Sequence, residues 1–115
     1  MKRDYLLFLR DIVERIERIE RFIEGMDFEA FRTDDKTVSA CIREIEVICE
    51  AVKHLPSFIT ERFDTLPWSL MAKMRDKLIH WYFDIDEEIV YKVAADKLPR
   101  IKTEIQAIIQ ELTRK

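Results

Sequence analysis

The sequence has little glycine, proline or cysteine. One glycine and three prolines stand among 115 residues, which leaves little room for turns and favours a few long helices with short connections. The two cysteines, Cys41 and Cys49, are about 12 Å apart along one predicted helix, too far for a disulfide. No cysteines or histidines have the spacing of a zinc site, so we expect neither metal nor cofactor.

A basic excess is also missing, since the net charge is −3. A nuclease gains affinity by neutralising phosphates, so any contact with RNA must use a local patch or a second protein. No apolar run approaches the ~20 residues that span a membrane. Lys2, Arg3 and Asp4 lead directly into an amphipathic helix, and no signal peptide is visible. We therefore expect a cytoplasmic protein without membrane contact.

What the sequence does contain is typical of a globular helical protein. Hydrophobic residues make up 48% and charged residues 37%, and the length suits one domain over residues 1–115. We predict an all-α, up-and-down helical bundle with about four long helices plus short ones. Apolar residues at helical spacing predict long helices over 3–24, 35–54, 68–82 and 96–113, and short ones over 27–32, 57–63 and 87–95.

Arg75 is the unusual residue of the third long helix. On a regular helix from Trp68 it falls in the middle of an apolar arc, close to Tyr82 in projection. One interpretation is a structural ion pair, with Glu46 or Glu50 as the partner, or a charge that reaches solvent along its stem. The other is an anion site. His54, at the end of a helix, is interpreted as structural.

The nonapeptide from Met74 to Tyr82 resembles the signature of HEPN-domain ribonucleases. Within that family it is similar to the HepT toxins that pair with minimal-nucleotidyltransferase (MNT) antitoxins. The likeness continues through the opening helix, the segment from Ala40 to Ala51, and the lead-in Leu66-Pro67-Trp68. Three positions depart from the usual pattern: Cys49 stands for glycine, Asp76 for asparagine, and Trp81 for a smaller residue.

The resemblance implies a HEPN-like homodimer that acts as an endoribonuclease toxin, with its cleft at the twofold axis. Arg75 and His80 would be the catalytic pair, and Asp76 a supporting polar residue. Tyr82 would be the residue to which the MNT antitoxin attaches AMP. RNA would be the substrate, and the MNT nucleotidyltransferase the partner.

The residue chemistry suits cleavage without a metal, in which the RNA 2′-hydroxyl attacks the adjacent phosphate. His80 has an unperturbed pKa suitable for proton transfer, and the planar guanidinium of Arg75 matches phosphate oxygens. On a regular helix, however, the two side chains are about 140° apart. Either the helix ends or distorts near Ile79–His80, or the site is built from two chains. A dimer would also explain an apolar arc of roughly 220°.

Two other functions are compatible with the sequence. The first is a non-catalytic module that binds a nucleotide or RNA and assembles with a nucleotidyltransferase, which the acidic net charge favours. The second is a helical dimer scaffold, in which a carboxylate seals Arg75. A cleft shared by Arg75 and His80 would favour the nuclease instead.

Overall fold

The structure, a computed structural model, describes residues 4–80 and 84–114, without the side chains of Asp4, Ile79, His80 and Asp84. It is an all-α fold, as predicted. The helices are α1 (Asp4–Phe22), α2 (Phe28–Arg32), α3 (Asp35–Lys53), α4 (Ser57–Arg62), α5 (Trp68–Ala72), α6 (Met74–Leu78), α7 (Glu87–Lys92) and α8 (Leu98–Thr113). None of these helices is long and apolar enough to cross a membrane.

The core lies where α1 packs against α3 and α8. The predicted apolar stripes supply it, because residues three and four apart share one helix face. The buried side chains include Leu9, Ile12, Ile16, Ile19, Val38, Ile42, Ile45, Cys49, Leu98, Ile105 and Ile108. Val38, Ile42, Ile45 and Cys49 are the members on α3. Their burial fixes the rotation of this helix about its axis, so its charged face is turned outward.

Three residues mark helix ends. Gly25, directly after the first predicted helix, has φ 77° in the turn after α1, a conformation that glycine adopts without strain. Asp34 caps α3 by accepting from the Thr37 N–H at 3.1 Å. Asp86 caps α7 by accepting from the Ile89 N–H at 3.2 Å.

The predicted continuous helix after Pro67 is wrong. It is interrupted at Lys73, whose N–H bonds to the Leu70 carbonyl at 3.2 Å, and the Asp76 N–H bonds to the Lys73 carbonyl at 3.0 Å. These tight i to i+3 bonds separate α5 from α6. After Leu78 the chain enters a two-residue strand, β1 (Ile79–His80), which pairs antiparallel with β2 (Asp84–Ile85).

The predicted break at Asp96 is also wrong. A π-helical segment, Val93–Lys97, connects α7 to α8 instead. Asp96 lies inside that segment and pairs with Arg100 at 3.3 Å, one turn further on. The wider turn lets Val93 and Ala94 reach the core before the stripe of α8 begins.

Candidate functional site

A surface cleft of about 590 Å³ lies between the outward face of α3 and the elements α1, α5 and α6. Its charged lining is mixed. The cations are Arg43, Lys53 and Arg75, the carboxylates are Asp11, Glu46, Glu50 and Asp76, and Phe8 and His54 are the rings. Among its described residues, the cleft therefore has no strong excess of either charge.

Arg75 lies on α6 and borders this cleft. Its Nε donates to Glu46 Oε2 at 2.6 Å, so Glu46 is the acid that pairs with it. The other carboxylate oxygen, Glu46 Oε1, lies 3.8 Å from Arg43 Nη1. The hydrogen bond and the charge of Glu46 raise the pKa of Arg75, which keeps the guanidinium charged.

The predicted place of Arg75 in the middle of one continuous apolar arc is wrong, since α5 and α6 are separate helices and the Arg75 side chain is 47% exposed. The interruption at Lys73 is the physical reason, because a single helical projection does not continue from α5 into α6. Trp68, Met71 and Leu78 are buried in the core of the same chain, whereas Leu70 is 53% exposed. The arc also includes Ile79 and residues 81–83, whose side chains lie outside the described part of the chain, so the homodimer stays a prediction.

Asp76 and Cys49 adjoin Arg75. Asp76 is exposed and lines the cleft. Cys49 is buried on α3, and the backbone N–H groups of Arg75 and Met74 face its thiol. Burial raises the pKa of Cys49 more than these N–H groups lower it, so the thiol stays protonated near neutral pH. Cys49 therefore supports the start of α6 as a small apolar side chain.

His80 and Tyr82, the other two predicted site residues, are described less fully. The backbone of His80 lies in β1 opposite Asp84, and α6 ends at Leu78. The helix thus ends before His80, the first of the two routes by which Arg75 and His80 can converge. The His80 side chain and the whole of Tyr82 lie outside the described residues, so their roles stay predictions.

Two features were not predicted from the sequence. Arg15 and Arg18 of α1 both reach the buried carboxylate of Glu44 on α3, with nitrogen–oxygen distances of 3.1 and 3.6 Å. His54, interpreted as structural, lines the cleft and stacks on Phe8. Both features depend on which helices become neighbours, and periodicity within one helix carries no such signal.

In the described part of the chain, no three His, Cys, Asp or Glu side chains are grouped so as to hold a metal ion.

Comparison with known proteins gives consistent matches over most of the chain. A family model described as "Ribonuclease HepT-like" matches residues 12–108. "Putative RNase MJ0127" of Methanocaldococcus jannaschii is 43% identical over 96% of this chain and 92% of its own length. "Probable ribonuclease HepT" of Thermococcus cleftensis is 41% identical over 94% of this chain and 98% of its own length. No solved structure gives a significant match.

Proposed function

The chain belongs to the HepT-like ribonuclease family, and from this membership we propose that it is a toxin-type endoribonuclease that cuts RNA without a metal ion. The enzyme class predicted from the sequence, a ribonuclease, is confirmed at the level of the family. The catalytic residues, the assembly and the partner are proposed beyond this family-level result.

Arg75 is proposed to bind the scissile phosphate. The observation that carries this role is its position at the edge of the cleft, half exposed and held by Glu46 through Nε. A guanidinium held at Nε can still present its terminal nitrogens to phosphate oxygens. Such a cation stabilises the charge that builds up on the phosphate in the transition state.

His80 is proposed to transfer the protons. Its imidazole takes the proton of the 2′-hydroxyl, and the 2′-oxygen bonds to phosphorus as the bond to the 5′-oxygen of the next nucleotide breaks. The imidazolium then returns that proton to the leaving 5′-oxygen. Cleavage thus leaves one RNA fragment that ends in a 2′,3′-cyclic phosphate and a second that begins with a 5′-hydroxyl. Asp76, beside Arg75 in the cleft, is proposed to support the site as a polar residue.

The assembly is proposed to be a homodimer with the site at its twofold axis. Its proposed regulator is an MNT nucleotidyltransferase that attaches AMP to Tyr82. An added phosphodiester near Arg75 would occupy the phosphate site with an anion and block the cleft. Family membership and the order of Arg75, His80 and Tyr82 along the chain support this proposal.

A non-catalytic module that binds a nucleotide or RNA is the second candidate. The bond between Arg75 and Glu46 favours it, because a carboxylate already occupies part of the guanidinium. The net charge of −3 favours it as well. A helical dimer scaffold, in which a carboxylate would seal Arg75, is disfavoured because the Arg75 side chain is about half exposed.

Incubation of the purified protein with total cellular RNA in EDTA separates these functions. We expect cleavage by the wild type and none by Arg75→Ala or His80→Ala, since each removes a group that acts on the phosphate. Equal cleavage by all three would contradict the assigned residues. An inactive wild type whose intact mass shows no attached AMP would favour the binding module.

A further inference from the structure

The far end of the cleft from Arg75 is formed by an ordered pair of rings. His54 follows the last residue of α3 and stacks on Phe8 of α1, with ring centroids 5.3 Å apart and 18° between the planes. The ring edge is also held, because Nε2 lies 3.2 Å from Glu50 Oε2. One face and one edge of the imidazole are therefore fixed by the protein.

The other face of His54 is open. Its side chain is 56% exposed although Phe8 and Glu50 contact it, and the residue lines the same cleft as Arg75. Glu46, which holds Arg75, is eight residues earlier on α3, about 12 Å along the helix axis. A short stretch of single-stranded RNA can bridge that separation.

The mixed charge of the described cleft residues favours a stacking contact over attraction to phosphates alone. Four carboxylates and three cations line it, so attraction to phosphates is weak there. Single-stranded RNA is otherwise held by stacking its bases on aromatic rings or histidine, and this contact needs no net positive charge. An aromatic face fixed in advance also binds with a small loss of side-chain entropy.

We propose that the open face of His54 is a stacking platform for an unpaired nucleobase, in the same cleft as Arg75. The inference rests on the proposed function, since it names a subsite for the RNA. An incoming base extends the Phe8–His54 stack by one layer, and its sugar–phosphate backbone runs along α3 toward Arg75. His54 is thus a positioning residue that favours cleavage in single-stranded RNA.

Binding of RNA that cannot be cut tests this platform. We would titrate fluorescein-labelled, fully 2′-O-methylated oligoadenylate, and an abasic oligomer of the same length, and follow fluorescence anisotropy. His54→Ala should weaken binding of oligoadenylate on the order of tenfold and leave the abasic oligomer unchanged. His54→Phe should restore binding, because it keeps a ring that can stack.

Lys53→Ala is the matched control, since Lys53 is the neighbouring cation in the cleft. It should weaken binding of both oligomers equally, and less so at higher salt. Equal weakening of both oligomers by His54→Ala, or no rescue by His54→Phe, would overturn the platform. If the wild type cuts natural RNA and His54→Ala binds oligoadenylate as tightly as the wild type, the stacking platform is wrong and the proposed function still stands. If the wild type neither binds nor cuts RNA, the proposed function fails with it.

Discussion

At the scale of single residues, the bond between Arg75 and Glu46 determines how the cleft can act. The pair is accessible to solvent, so it contributes little to the free energy of unfolding. Its main effect is to orient the guanidinium of Arg75. A fixed guanidinium has less freedom to lose when a phosphate binds. Glu46 is therefore interpreted as a residue that positions Arg75.

Substitution of Glu46 separates its charge from its hydrogen bond. Glu46→Ala should lower kcat/KM roughly tenfold to a hundredfold, because small displacements of a catalytic group have effects of that size. Glu46→Gln retains an acceptor for Arg75 Nε and should keep most of the activity. The measurement is initial cleavage rate at several RNA concentrations. Glu104→Ala, an exposed acid on α8, is the control, and a rise in activity with Glu46→Ala would contradict the assignment.

The two cysteines should be unreactive in the folded protein. Burial raises the pKa of Cys41 to about 12 and also raises that of Cys49. In the unfolded chain, thiols ionise near pH ~8.5. We expect iodoacetamide at mildly alkaline pH to label neither cysteine until denaturant is added, as measured by intact mass.

The same pKa shifts predict how stability depends on pH. Above pH ~8.5 the unfolded state has lost thiol protons that the folded state keeps, so the free energy of unfolding falls as pH rises. Below pH ~8.5 the stabilisation that the buried thiols give the folded state is fully present.

The labelling experiment has a clear contrary outcome. Rapid labelling of Cys41 in the native protein would contradict its burial.

At the scale of elements, α3 carries the cleft residues from Arg43 to Lys53, so its N-terminus affects the site. Asp34→Ala removes the acceptor of the Thr37 N–H and should lower the free energy of unfolding by about 1 kcal/mol. Asp35→Ala, one position later, removes a charge of the first turn without removing the cap. It should have less than half of that effect in urea unfolding. Equal effects would mean that the charge, and not the cap, stabilises α3.

The long helices could be predicted because their information is local. Leu9, Ile12, Ile16 and Ile19 repeat at helical spacing, and all four are fully buried. The interruption at Lys73 could not be predicted, because no proline or glycine marks it and it depends on tertiary contacts. The π-helical segment Val93–Lys97 was missed for the same reason. Arg75 was recognised as a site residue through the resemblance, whereas the choice of Glu46 over Glu50 as its partner required the structure.

At the scale of the whole molecule, the site is proposed to lie at the twofold axis of a homodimer. Light scattering should give twice the 13.9 kDa protomer mass. A mixture of Arg75→Ala and His80→Ala protein, unfolded and refolded together, tests where the two residues meet. If one chain supplies the arginine and the other the histidine, half of the mixed dimers' sites contain both. Cleavage should then return to a fraction of the wild-type rate.

Recovery depends on subunit exchange, so each variant refolded alone is the control and should stay inactive. No recovery in a mixture that light scattering shows to be dimeric would place both residues of a site in the same chain. A monomeric wild type would remove the shared site altogether.

The chemistry of the RNA ends tests most directly whether the protein cuts RNA through the RNA's own 2′-hydroxyl. We expect the wild type in EDTA to leave 2′,3′-cyclic phosphate and 5′-hydroxyl ends, because the 2′-oxygen is the nucleophile and the 5′-oxygen the leaving group. His80→Ala should leave no such ends. Products with 3′-hydroxyl and 5′-phosphate ends, or cyclic ends formed equally by His80→Ala, would rule out this mechanism.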